Sequence, residues 1–335
     1  MNRVIRIVLA CGLLLVHVAK AEIYELPPAG NDVIGAVSTI TARAEDTLVD
    51  IARRHGLGYQ DIVRANPGVN IWMPGESTEI ILPTRYVLPR GSRQGVILNL
   101  AEYRLYYFPE AREGQTEYVM TYPISIGRMD WETPLGRTTV ISKVRNPSWY
   151  VPQSVLDEHA ADGDPLPRIV PPGPANPLGK FAMRLGLPGY LIHGTNRPAG
   201  VGMRVTHGCV RMFPEDIEYL FGKVDVSTVV RIVNEPVKMG WDGDQLVMEV
   251  HPILEAALPD VDESAAEDGG DDVTEVVVES KDPLTYVTEQ FIVTTGERAG
   301  QLDWYLAEQA VNRSDGIPTP VGQGIKNAAA SAAFD

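Results

Sequence analysis

Thr206-His207-Gly208-Cys209-Val210-Arg211-Met212 is the stretch on which the reading of this chain turns. Cys209 is the only cysteine left once the first twenty or so residues are set aside, with His207 two positions before it and Arg211 two after. Sixteen residues upstream of the thiol, His193 stands in an apolar, strand-like run, Tyr190-Leu191-Ile192-His193-Gly194-Thr195. A thiol and two imidazoles in one window point to nucleophilic chemistry, because the thiolate is the reactive form and a neighbouring imidazole can generate it. In an extended segment His207, at i−2, shares a face with Cys209, whereas His193 lies on a separate strand able to cross beside it; chain order does not choose the base. Gly208 gives the backbone freedom for a tight approach that turns amide N–H groups toward an oxyanion. The planar fork of Arg211 suits a substrate carboxylate, and equally a pairing with Glu215 or Asp216. His193, His207 and Cys209 are also three potential zinc ligands, with His251 or a carboxylate as a fourth. No second cysteine or paired histidine supplies a zinc spacing, so no metal is expected.

Working outward, composition narrows the setting. The 335 residues carry 44 acidic against 29 basic side chains, a formal net charge of −15, which repels phosphate backbones and argues against a nucleic-acid partner. The N-terminus has the form of an export signal over 1–21: Arg3 and Arg6, an apolar run from Ile7 to Val18, then Ala19-Lys20-Ala21 before Glu22. Val8-Leu9-Ala10-Cys11 only weakly matches a lipoprotein processing box, because the apolar run continues past Cys11. Cleavage after Ala21 leaves an exported chain with one thiol, which cannot form an internal disulfide. An inert buried cysteine is the bland alternative, and the two histidines argue against it.

Residues 38–84 read as a small α+β unit in the order strand, helix, helix, strand. Ser38-Thr39-Ile40-Thr41 begins it, Thr47-Leu48-Val49-Asp50 opens a first helix, Tyr59 to Ala65 forms a second, and Glu79-Ile80-Ile81-Leu82 closes it. After a link at Arg85 to Arg93, residues 94–234 carry alternating apolar segments: Gly95 to Leu100, Arg104 to Phe108, Tyr118 to Ile126, and Thr138 to Lys143 after a Thr133-Pro134-Leu135-Gly136 turn. Their period of two predicts antiparallel strands. Asn146 to Pro177 holds eight prolines, which forbid a long helix or a central strand and suggest a lid or binding loop. Trp149 and Tyr150 near its start are expected either to pack on a substrate or to anchor the loop. Pro214 with Glu215 and Asp216 opens a helix that Gly222 ends, and Val226 to Val233 supplies a last core strand. Residues 235–257 form a hairpin turning at Asp242-Gly243-Asp244. The segment 258–282, with ten acidic residues and one lysine, is expected to be a solvated linker. In the extension 283–335, Pro283 to Ala310 is expected to dock as a helix, and the tail beyond Gly316 to be disordered.

Two resemblances join these readings. Asp46-Thr47-Leu48, Ile62-Val63-Arg64-Ala65-Asn66-Pro67 and Pro74-Gly75 before the final strand resemble a LysM domain, a βααβ module that binds N-acetylglucosamine chains such as peptidoglycan; a spacer that binds nothing is the alternative. His193-Gly194-Thr195 followed by Thr206 to Met212 resembles the signature of the YkuD family of L,D-transpeptidases, and the wider chain resembles its ErfK/YbiS/YcfS/YnhG subgroup. The resemblance implies a mainly β catalytic domain, a β-sandwich with a cleft, and no cofactor. It implies Cys209 as nucleophile, His193 as proton acceptor and donor, and His207 with Gly208 shaping the nucleophile's surroundings. Arg211 would help hold the substrate, with Thr206, Gly194, Trp149 and Tyr150 completing the candidate substrate-binding set. The implied reaction is periplasmic: it cleaves the bond between the diamino acid of a peptidoglycan tetrapeptide stem and its terminal D-alanine. The acyl group then passes to an amine, either another stem, giving a 3-3 cross-link, or the C-terminal lysine of an outer-membrane lipoprotein. A hydrolase of the same cleft and an inactive peptidoglycan-binding scaffold are the alternatives.

Overall fold

The computed structural model describes residues 22–128, 131–254, 281–296 and 298–325. The expected signal at 1–21, nearly all of the acidic linker and the last ten residues lie outside the described residues. Among the described residues the protein is mostly β, with six helices and no helix long and apolar enough to cross a membrane.

The apolar runs after Arg93, joined at one edge by Glu22–Glu25, become one curled nine-stranded sheet. Its strand order is Glu22–Glu25, Tyr118–Pro123, Arg104–Phe108, Gly95–Asn99, Val229–Val233, Gly136–Arg145, Phe181–Leu185, Leu191–His193 and Val210–Arg211. The pairs Gly95–Asn99 with Arg104–Phe108, and Arg104–Phe108 with Tyr118–Pro123, are antiparallel as the period-two pattern predicts. Both faces of this half are covered, because alternation sends Val96, Leu98, Leu105 and Tyr107 into the main core and Ile97, Tyr106 and Phe108 into a second core with Tyr86 and Leu88. Two pairings are parallel instead: Val229–Val233 with Gly95–Asn99, and Val210–Arg211 with Leu191–His193. Periodicity is the same for either direction, so the sequence pattern carried no sign of these pairings. Residues 85–93 are more than a link, since Arg85–Val87 pairs with Val33–Gly35.

The small unit has the expected order. Helices α1 (Leu48–Arg54) and α2 (Tyr59–Ala65) pack beside the antiparallel pair Ser38–Thr41 and Glu79–Leu82 around Leu48, Ile51, Ile62 and Ile80. Thr47 caps α1 by accepting from the Asp50 N–H at 3.0 Å. The proline-rich segment still finds room for a nine-residue helix, α3 (Gln153–Ala161), in the gap between Pro152 and Pro165. Asn176, fully buried, holds that segment's ends together by donating to the carbonyls of Pro147 (2.9 Å), Val170 (3.1 Å) and Pro171 (3.2 Å). Helix α4 (Pro214–Phe221) follows the cysteine as expected and buries Ile217, Leu220 and Phe221.

The C-terminal part departs most from the sequence reading. The hairpin Val237–Asp242 with Gln245–Val250 is present, and two helices, α5 (Pro283–Thr295) and α6 (Trp304–Arg313), follow where one was expected. The expectation of disorder beyond Gly316 fails over the described part of the tail, where Thr319–Gly324 is a strand between the hairpin and Gly300–Leu302; residues 326–335 lie outside the described residues. Tertiary pairing makes it one, since both its edges are hydrogen-bonded and Val321 is inaccessible, while its composition gives no strand signal.

Asp216, in the first turn of α4, is buried, and its Oδ2 has no hydrogen-bond partner among the described residues. Burial, aided by the Glu215 charge, pushes its carboxyl up from 3.8 to about 8. Between those values the unfolded chain is ionised while the folded chain keeps the proton. Stability therefore falls as pH rises through that window, by at most about 1.4 kcal/mol per pH unit. Asp216→Asn is expected to gain stability relative to the wild type between pH 5 and pH 8, read as the difference in denaturant midpoints. Parallel pH dependences in the two proteins would refute the assignment.

Candidate active site

The parallel pair Leu191–His193 and Val210–Arg211 builds the site. Ile192 lies opposite Val210 and His193 opposite Arg211, and the Met212 N–H donates to the His193 carbonyl at 2.9 Å. Ile192 and Val210 both point into the main core. Alternation therefore puts Leu191, His193, Cys209 and Arg211 together on the other face. Of the two histidines, His193 is the one brought to the thiol's face by sheet register.

The His193 ring is buried, and its Nδ1 lies 2.6 Å from the Gly194 carbonyl. A carbonyl only accepts, so Nδ1 carries the proton and Nε2 is left as the basic nitrogen. Burial first and the Arg211 charge second push this imidazole down to about 3, against a small opposing effect of the Gly194 carbonyl. It is neutral, and thus able to accept a proton, throughout the physiological range. Gly194 presses against Gly179 and Leu178 of the Asn176-Pro177-Leu178-Gly179 turn, so the end of the proline-rich segment fixes the carbonyl that orients the ring.

Cys209 is partly exposed, and its Sγ donates to the Gly189 carbonyl at 3.5 Å. Burial pushes its thiol up, while the Leu191 backbone and the Arg211 charge pull it down. The loop presenting it is braced from below. Gly208 has φ +90°, and a Cβ there would come within 2.9 Å of the Tyr190 ring, so glycine is required. Its carbonyl accepts from the buried Thr133 hydroxyl at 2.8 Å, and the Cys209 carbonyl accepts from the Thr206 hydroxyl at 2.6 Å. Thr206 is itself buried. Its hydroxyl is committed to the backbone, so it braces the loop and offers no ligand surface.

His207 turns elsewhere. Its Nε2 donates to Glu158 of α3 at 2.8 Å, its ring meets Trp131 edge-on at 5.1 Å, and Arg128 binds the other Glu158 oxygen at 2.6 Å. Those charge-assisted bonds hold the Glu158 carboxyl below its usual range. Trp149 and Tyr150 form a two-residue strand against Ile169–Val170, with Tyr150 73% exposed; among the described residues neither ring bonds or stacks with Cys209 or His193. The proline-rich segment thus also reaches the site through Glu158, which carried no sequence signal beyond its place in that segment. Thr133 was visible only as part of a turn.

Arg211 is not paired with Glu215, which binds Arg53 instead, and the guanidinium Nε of Arg211 is buried without a partner among the described residues. Burial and the neighbouring Arg197 charge lower its basicity, while Cys209 opposes them. A half-buried cation with a buried, unfilled Nε donor beside a thiol is suited to an anionic group. Residues 93–232 match the L,D-transpeptidase catalytic domain, YkuD, and residues 40–72 match the LysM domain. The chain is 34% identical to the probable L,D-transpeptidase ErfK/SrfK of Salmonella typhimurium, over 93% of this chain and 95% of that one. It is also 34% identical to the probable L,D-transpeptidase YbiS of Escherichia coli over 90% and 92% of the two chains, and 38% identical to YcfS of the same species over 75% and 79%. The chain belongs to the YkuD family of L,D-transpeptidases. This L,D-transpeptidase carries a LysM domain ahead of its catalytic domain, and the family's expected thiol and upstream histidine are the two groups that the parallel strands put on one face.

The charge balance at Cys209 has a measurable consequence. Its alkylation rate by iodoacetamide is expected to keep rising with pH past the ordinary thiol value, because burial outweighs the Leu191 and Arg211 effects. Arg211→Gln removes a cation that favours the thiolate, so it should move the midpoint further up. A rate plateau reached at or below neutral pH would show a preformed thiolate and contradict this.

Proposed function

We propose that this L,D-transpeptidase acts in the periplasm on peptidoglycan tetrapeptide stems, with Cys209 as nucleophile and His193 as proton acceptor and donor. The observation that carries the assignment of the base is the Nδ1 bond from His193 to Gly194, which leaves a neutral Nε2 on the thiol's face. His207 has its Nε2 proton committed to Glu158 and holds α3 against the nucleophile loop.

The resting pair is a neutral thiol and a neutral imidazole. When the stem binds, the carboxylate of its terminal D-alanine pairs with Arg211, cancelling the charge that disfavours an imidazolium. Nε2 then takes the thiol proton as Sγ attacks the carbonyl carbon of the diamino acid. The tetrahedral intermediate collapses by breaking the C–N bond; the proton held on His193 passes to the leaving amine, and D-alanine departs, leaving a thioester. An incoming amine gives up a proton to His193, attacks the thioester and regenerates the thiol. That amine belongs to a second stem, giving a 3-3 cross-link, or to a lipoprotein's C-terminal lysine. The LysM domain is proposed to hold the glycan strand, which makes the enzyme cell-wall associated. Gly194 acts through its carbonyl, and the backbone around Gly208 and Cys209 faces the oxyanion.

Cys209→Ala is expected to abolish D-alanine release from tetrapeptide muropeptides, measured by mass spectrometry, while retaining binding to sacculi; full activity would sink the cysteine mechanism. General acid–base loss predicts that His193→Ala falls by about 100-fold or more. His207→Ala should lose far less, and the reverse order would assign the base to His207. Supplying a lysine-ending peptide in the same assay separates cross-linking, lipoprotein attachment and release to water.

A further inference from the structure

The LysM domain of this enzyme is not held at arm's length. The backbone N–H of Tyr59 donates to the Val201 carbonyl at 2.9 Å, and that of Gln60 to the Gly202 carbonyl at 3.3 Å. The two segments touch at glycines: Gly202 has φ +89°, and a Cβ there would fall 2.4 Å from the Tyr59 nitrogen. On the other side of the same contact, Arg53 of α1 makes a two-pronged ion pair with Glu215 of α4, Nε to Oε1 at 2.7 Å and Nη2 to Oε2 at 2.9 Å, with its guanidinium 5.5 Å from the centre of the Phe213 ring. Planar two-point pairs fix orientation as well as distance.

Both contacts lead to the same corner. The loop gripped at Val201 and Gly202 also contains Gly200, whose carbonyl accepts from the Ser125 hydroxyl at 2.8 Å, and Ser125 exchanges both backbone hydrogen bonds with Arg211, at 2.8 and 3.0 Å. It carries Arg197, whose charge acts on the Arg211 guanidinium. The Arg53 pair, in turn, holds Glu215 in the first turn of α4, three residues after Met212, whose N–H is bonded to His193. The segments before and after Thr206–Met212 are therefore both fastened to the LysM domain.

We propose that the LysM domain braces the catalytic site as well as serving as a glycan-binding module, and that Arg53 is a positioning residue acting through Glu215 on the Arg211–Cys209 corner. The proposal rests on the Cys209 reading for its activity assay, so it is tested with a second readout that does not. The substrate is a free tetrapeptide without sugar, on which glycan binding by LysM has no bearing. In the full-length enzyme, Arg53→Glu and Glu215→Arg are each expected to lower kcat/KM on it by about tenfold, as small displacements of a catalytic geometry do. The double variant Arg53→Glu, Glu215→Arg should recover most of that loss by restoring the pair in reverse. Arg53→Gln and Glu215→Gln repeat the comparison without like charges in contact, should a single reversal fail to fold. The iodoacetamide rate of Cys209 is measured across the same set and should move with the same pattern of loss and recovery. Single variants with wild-type rates on the free tetrapeptide and wild-type alkylation, yet slower on intact sacculi, would overturn the proposal and leave LysM as a tether. A wild-type enzyme inactive on the tetrapeptide and on tetrapeptide muropeptides alike would overturn the proposed reaction alone, with the alkylation series still deciding the coupling.

Discussion

The site depends on a parallel pairing only two residues long. Because Ile192 faces Val210 in register, both are driven into the core, and the residues flanking each of them are carried to the opposite face as a set. A slip of one residue would invert that arrangement, exposing Ile192 and Val210 and burying a cysteine and an arginine. Each apolar side chain is worth about 1.5–3 kcal/mol when buried, so the core itself guards the register that aligns thiol and imidazole. A short edge pairing of this kind has little strength of its own. It is kept by what surrounds it: the Ser125–Arg211 bridge on one side and the Phe181–Leu185 strand on the other.

Around that pairing, hydroxyls and glycines do the fine positioning. Thr133 and Thr206 each tie a carbonyl of the nucleophile loop, one at Gly208 and one at Cys209, which leaves the intervening turn little freedom to swing the thiol away. Arg211 has opposing effects on its two neighbours, favouring a thiolate at Cys209 and disfavouring an imidazolium at His193. Its charge therefore suppresses an idle ion pair on one member while supporting it on the other. An anion arriving at Arg211 changes both at once.

The chemistry-bearing residues were legible because they are dense in one window: a single thiol, two histidines and an arginine. Much of the fold was legible too, since the strands around Gly95, Arg104 and Tyr118 alternate clearly and the small unit has clear capping and turn residues. What escaped has a physical reason in each case. Parallel and antiparallel strands share a period, so the pairing that selects His193 was hidden. Glu158 sits on a nine-residue helix between prolines, where composition argued only for a loop. Thr319–Gly324 is a strand through its partners' backbones, which no local pattern records. Trp149 and Tyr150 drew attention as aromatic side chains, yet the segment's bond to the site runs through a carboxylate.

Buried charge joins the parts of the molecule to one another. Arg104, inaccessible at the sheet, reaches Asp61 of α2 at 2.6 Å and lies 4.3 Å from the centre of the Tyr86 ring. Lys238 of the C-terminal hairpin bridges Glu102 and Glu249, each at 2.9 Å, while Glu249 also accepts from His251 and from the Val87 backbone. Glu102, Glu249 and His251 lie close enough together to suggest a metal site, but the Lys238 ammonium already stands between the two carboxylates. Desolvating such groups offsets much of their attraction, so their contribution to net stability is small compared with the cost of breaking them. An apolar contact of equal area tolerates sliding; a lysine shared by two carboxylates, or an arginine locked to one aspartate, does not. Charges at these junctions thus set the orientation of the LysM domain and of the C-terminal sheet against the catalytic sheet. The loop at Val201–Gly202 and the start of α4, which flank the nucleophile segment and bond to the LysM domain, share in that orientation.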